Sequence, residues 1–138
     1  AVSNRGGVSR LIGITMVSQH DAVDDVGLVF MENSTNLIGS LSPGSSGGVA
    51  LADADAEAAN IIGVCKLDGS DNTFDLGGSR AYSTFAIPGN TSVTTFSPML
   101  LKAAGGSTSV YVAGIAVDAQ DYAAVDDLDL AFHIEYLG

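Results

Sequence analysis

Gly44-Ser45-Ser46-Gly47-Gly48 satisfies the G-x-S-x-G spacing with which a nucleophile elbow presents a serine hydroxyl for acyl transfer, and His20 and Asp21 would be its base and orienting acid. The flanks do not fit that chemistry. An elbow needs a buried strand before it and a helix after it, and the flanks of SPGSSGG do not supply the two together. A trypsin-like site would need a longer chain and an aspartate where Ser45 stands. Ser42 to Gly48 therefore reads as a flexible turn, and no catalytic residue is expected.

Oxygen ligands for a hard cation such as calcium occur in two groups: Asp68, Asp71 and Asp75 in LDGSDNTFD, and Asp53, Asp55 and Glu57 in ADADAEAAN. Neither has the EF-hand glycine at the sixth position or its closing glutamate. His20 and His133 have no second cysteine or H-x-E pattern to complete a zinc site. No metal ligand and no cofactor is expected. Cys65, the only cysteine, lies in the apolar run IIGVCKL and reads as a small core residue. Asn33-Ser34-Thr35 and Asn90-Thr91-Ser92 match the glycosylation sequon, a triplet that is common by chance.

The elements that would carry these residues are strands. In the last twelve residues Leu128, Leu130, Phe132, Ile134 and Tyr136 alternate with Asp127, Asp129, Ala131, His133 and Glu135. This period of two defines a half-buried strand with Leu130, Phe132 and Ile134 facing a core. Further strands are predicted over 8–17, 26–31, 60–67, 79–87 and 109–117, and shorter ones over 37–41 and 91–96. Ser97-Pro98 before MLLKAAGG predicts a short helix over 98–104, with Ser97 as its cap and Gly105 as its stop. The fold class expected is all-β, a single jelly-roll-like β-sandwich over 8–138 preceded by a flexible arm over 1–7. The arm carries Arg5 and no apolar cluster, so it is expected to order only on a partner surface.

At 138 residues the chain suits one domain. Thirteen Asp and three Glu face Arg5, Arg10, Lys66, Arg80 and Lys102, for a net charge of -11 at pH 7. Such a surface repels phosphate backbones and anionic lipid, so no direct nucleic-acid partner and no membrane are expected. No stretch reaches the length of a membrane span, and AVSNRGGVSR does not read as a secretory signal.

The arm SNRGGVSR, the Gly/Ser/Thr/Ala/Val-rich body and the terminal strand LDLAFHIEYLG together resemble the small β-sandwich or jelly-roll cement (decoration) proteins of tailed-virus capsids, bacteriophages especially. The resemblance implies a structural virion protein on the outer capsid surface. It would bind the major capsid protein, bridge neighbouring subunits without catalysis, and act as a homodimer or homotrimer. Two other readings compete. A carbohydrate- or surface-binding module would need exposed aromatic platforms, with Tyr82, Tyr111, Tyr122 and Tyr136 as candidates, and a small hydrolase would need the serine constellation above.

Overall fold

The structure, a computed structural model, describes residues 2–19, 25–32, 60–68, 73–88, 96, 98–116 and 128–137. Among these the regular elements are eight strands: β1 (Val8–Ser18), β2 (Val26–Met31), β3 (Ile61–Leu67), β4 (Phe74–Asp75), β5 (Arg80–Phe85), β6 (Met99–Lys102), β7 (Tyr111–Ala116) and β8 (Leu128–Leu137). They form two antiparallel sheets. The larger has the order β4-β5-β1-β6 with β8 on the other edge of β1, and the smaller the order β3-β2-β7. One core lies between them, consistent with a β-sandwich: Leu11, Ile14, Met16, Tyr82 and Leu101 from the larger sheet meet Val26, Leu28, Phe30 and Leu67 from the smaller.

β1 organises the larger sheet through an irregularity. Along β8 the pairing runs Leu11↔Ile134 and then Gly13↔His133, which leaves Ile12 as an extra residue. A β-bulge of this kind shifts the alternation of faces by one. Ser9 and Leu11 point inward before it, and Ile14, Met16 and Ser18 after it. The opposite edge of β1 changes partner at the same place, from β6 at Val8–Leu11 to β5 at Gly13–Ser18. The Ile12 carbonyl accepts the Ala86 N–H at 2.9 Å, which satisfies a backbone group at the handover.

β2 is central in its sheet and buried on both faces, which explains the unbroken apolar run VGLVFM. Val29 and Met31 belong to a second cluster on the far face, with Ile61, Tyr111, Ala113 and Ile115 around them. Gly63 on β3 lets the sheets approach. A Cβ there would lie 2.6 Å from the Met99 sulfur of β6.

One expectation needs correction. The helix over 98–104 does not form: Met99–Lys102 is β6, antiparallel to Val8–Leu11, with Leu101 buried and Leu100 exposed. A two-turn helix gains too few hydrogen bonds to offset its nucleation, whereas a strand here fills the β1 edge vacated by β5. Gly106, at positive φ, turns the chain in Ala104–Ser107 where Gly105 was expected to stop a helix. The predicted strand over 37–41, and all but Phe96 of the one predicted over 91–96, lie outside the described residues.

Leu130, Phe132 and Ile134 do face the core but are half-buried, because β8 has only β1 beside it among the described residues. An apolar cavity of about 150 Å³ lies beside them, lined by Phe30, Leu101, Val110, Val112, Phe132 and Ile134. At the strand end the alternation breaks, and Tyr136 is exposed.

Residues 2–7 make backbone contacts with the segment that follows β6. Val2 is buried and its N–H donates to Thr108 O at 3.0 Å, while Gly6 N–H donates to Ser107 O at 2.8 Å. Gly7 N–H closes a turn onto Asn4 O at 2.8 Å, with Gly6 at φ 68, as the third residue of a type II turn requires. Deleting residues 1–7 removes one buried valine and several hydrogen bonds. The expected loss is about 3 kcal/mol, or a melting temperature lower by roughly 10 °C. A scanning-calorimetry trace that superimposes on that of the full chain would contradict this anchoring.

Candidate functional site

The outward face of the larger sheet is the best-defined candidate surface. Residues paired across antiparallel strands share a face, so the register builds it row by row. Phe74, Ala81, Val17 and Asp129 form one row, and Ser83, Thr15 and Ala131 the next. Phe85, Gly13 and His133 form the third, Leu100, Arg10 and Glu135 the fourth, and Lys102, Val8 and Leu137 the last. Large apolar groups stand open along it: Phe74 is 70% exposed, Phe85 54% and Leu100 55%. Leu76, at 56%, continues the edge of β4. The tight Gly77-Gly78 turn, with Gly77 at φ 92 and its N–H donating to Asp75 Oδ1 at 2.7 Å, holds that edge on β5.

Polar side chains stiffen the centre of the face. Thr15 Oγ1 lies 2.9 Å from Ser83 Oγ and 3.0 Å from His133 Nε2, a line of hydrogen bonds across β5, β1 and β8. Phe85 and His133 approach with ring centroids 5.4 Å apart. They do so over Gly13, where a Cβ would come within 2.6 Å of the Phe85 ring and 3.2 Å of His133. Glycine at this position therefore lets two rings from different strands meet across the sheet. Arg10 Nη1 donates to Glu135 Oε2 at 3.1 Å in the next row.

Thr15 and His133 have the separation of a nucleophile and a base. A productive pair also needs a group that orients the imidazole, donors for an oxyanion and shelter from water. This pair lies on an open face, its hydroxyl already engaged by Ser83, and β1 commits its main chain to partners on both edges. The arrangement is one of cross-strand contacts that fix side-chain positions.

Few of the residues singled out by spacing gather here. His133 does, on the outward face expected for it, and Asp129 stands at the end of the same strand. Asp75 is committed to its turn and to Arg80, whose Nη2 is 3.9 Å from Asp75 Oδ2. Among the described residues no cluster of three metal-ligating side chains occurs. Of the tyrosines, Tyr82 is in the core, Tyr111 packs on the far face of the smaller sheet and Tyr136 is exposed. His20, Asp21, Ser45, Ser46, Asp53, Asp55, Glu57, Asp71, Tyr122 and both sequons lie outside the described residues. Phe74, Leu76, Phe85 and Leu100 were missed, because the signal is an outward apolar residue at a position whose face only the register reveals.

Cys65 packs against the core as its sequence context implied. Burial pushes its thiol from an ordinary 9.0 up to about 11. The folded state therefore favours the neutral thiol, and its contribution is complete below 9.0 and lost as pH rises through about 11. Native protein at pH 8 is expected to react with iodoacetamide at least about tenfold more slowly than urea-unfolded protein. Equal rates, followed by mass spectrometry, would show the thiol to be accessible and ionised.

Comparison with protein-family models, with curated proteins and with solved structures finds no match to this chain.

Proposed function

We propose that the chain is a non-catalytic assembly protein, a jelly-roll-like cement protein that binds the outer surface of an assembled capsid and bridges neighbouring subunits. The observation that carries this reading is the outward face of the larger sheet. Phe74, Leu76, Phe85 and Leu100 stand exposed on a framework of paired strands, so a contact surface is held in place before any partner arrives. Preorganisation of this kind lowers the entropic cost of docking. The net charge of -11 supports the same reading, since it complements basic patches on a coat protein and repels packaged nucleic acid.

The test is to add purified protein to undecorated shells. A ligand that binds only the intact shell stabilises it by mass action, so the bursting temperature should rise with occupancy. An unchanged bursting temperature at saturating occupancy would end the cementing proposal. A second reading, a glycan-binding module, has one observation in its favour. The Phe85 and His133 rings beside the Thr15 and Ser83 hydroxyls offer an aromatic platform with polar neighbours. Glycan-array binding abolished by Phe85→Ala would favour that reading.

A further inference from the structure

We propose that the outward face of the larger sheet joins two copies of this chain into a twofold-symmetric dimer. The inference rests on the proposed function and narrows it: the partner docked on this face is a second copy, and the pair bridges the shell because each copy contacts a different subunit.

Charge distribution is the first argument. All five cationic side chains, Arg5, Arg10, Lys66, Arg80 and Lys102, lie within the described framework, with six carboxylates: Asp25, Glu32, Asp68, Asp75, Asp129 and Glu135. The framework thus has a formal charge of 5 - 6 = -1, and the other ten of the sixteen carboxylates belong to sequence outside it. On the face itself Arg10 is paired with Glu135, and Lys102 at one end is balanced by Asp129 at the other. This nearly neutral, apolar face suits contact between copies of a chain whose total charge is -11.

The polarity of the face suggests the symmetry. Lys102 marks the Val8 end of β1 and Asp129 the Val17 end. A twofold axis lying in the contact plane, nearly perpendicular to the strands, turns one copy end for end and brings Lys102 of each copy over Asp129 of the other. Sheets packed this way cross at an angle of roughly 30°, as twisted sheets do. Isologous contacts use the same patch twice, so each dimer would contain this ion pair twice.

Area is the third argument. β8, β1 and the edge shared by β5 and β6 make three strand positions about 4.8 Å apart and about ten residues long at about 3.3 Å each, which with the two residues of β4 give a face of roughly 500 Å². Two such faces bury about 1,000 Å², the threshold at which a weak interface becomes specific. The dimer should therefore be reversible, and salt should strengthen it by screening the acidic remainder of each copy.

Sedimentation velocity on the full chain, over a concentration series at low and high salt, tests this. A monomer–dimer equilibrium is expected, with Phe85→Ser raising the dissociation constant about tenfold or more. Lys102→Glu and Asp129→Lys should each weaken the dimer, and the double reversal should restore it. Unchanged melting of each variant would confirm that folding is intact. A chain monomeric throughout, or a dimer indifferent to Phe85→Ser and to both reversals, overturns the proposal. Monomers whose shell occupancy falls with Phe85→Ser would give the face to the shell, overturning the dimer while leaving the cementing function. A dimer that obeys the charge swap but leaves shell bursting unchanged would establish the interface and remove that function.

Discussion

Deleting Ile12 is expected to abolish cooperative folding. The bulge is the only means by which Ser9 and Leu11 on one side, and Ile14, Met16 and Ser18 on the other, reach the same core. Without the extra residue one half of β1 must turn its inward side chains to solvent. If the first half shifts, Arg10 takes the place of Leu11, which is fully buried, and a guanidinium enters an apolar core. If the second half shifts, Ile14 and Met16 leave the core and Thr15 and Val17 replace them. Either change costs upwards of about 5 kcal/mol, comparable with the whole stability of a domain this size. Ile12→Ala is the control. Its side chain is exposed on the bulge, so truncation should cost less than about 1 kcal/mol. Circular dichroism melts of the two variants separate the effect of chain length from that of the side chain. A deletion variant melting within a few degrees of the parent would show that β1 can slip without penalty.

Phe30→Ala should be the most damaging single substitution, at about 3–5 kcal/mol. The ring, near the end of β2, is 1% exposed and meets Phe132 edge-on, with centroids 5.8 Å apart and planes at 82°. It also lines the cavity of about 150 Å³, so its removal enlarges an existing void. Phe132→Ala removes the same number of atoms from the half-buried edge strand and should cost only about 2 kcal/mol. Urea denaturation measures both. Equal losses would mean that the core is centred nearer β8 than the burial of Phe30 implies.

Much of the strand pattern was legible because burial imposes a period on the sequence. Val26–Met31 and Leu128–Leu137 have the boundaries their apolar patterns gave them, one as a continuous run in a central strand and the other as an alternation. Met99–Lys102 was illegible because its local signals, a cap and a proline, favour a helix, whereas its structure depends on the edge of β1 some ninety residues earlier. The two-residue β4 is too short to carry a period. The candidate surface was hidden for a related reason. Phe85 and His133 are neighbours only because Gly13 stands between them, and no spacing within a single strand encodes a three-strand row.

The position of β1 also sets the order in which the protein can be built. Its partners on one edge are residues 80–85 and 99–102, and on the other residues 128–137, with Arg10 and Glu135 separated by 125 positions. During synthesis the smaller sheet can pair β2 with β3 early, while the Leu11 and Ile14 strand waits with one or both edges open. Pairings this distant in sequence close slowly. An unpaired apolar strand is also a template for aggregation. A ribosome stalled before residue 128 would therefore hold a nascent chain whose first strand seeks any other edge within reach, and expression at low temperature or with a holdase chaperone should raise the soluble yield.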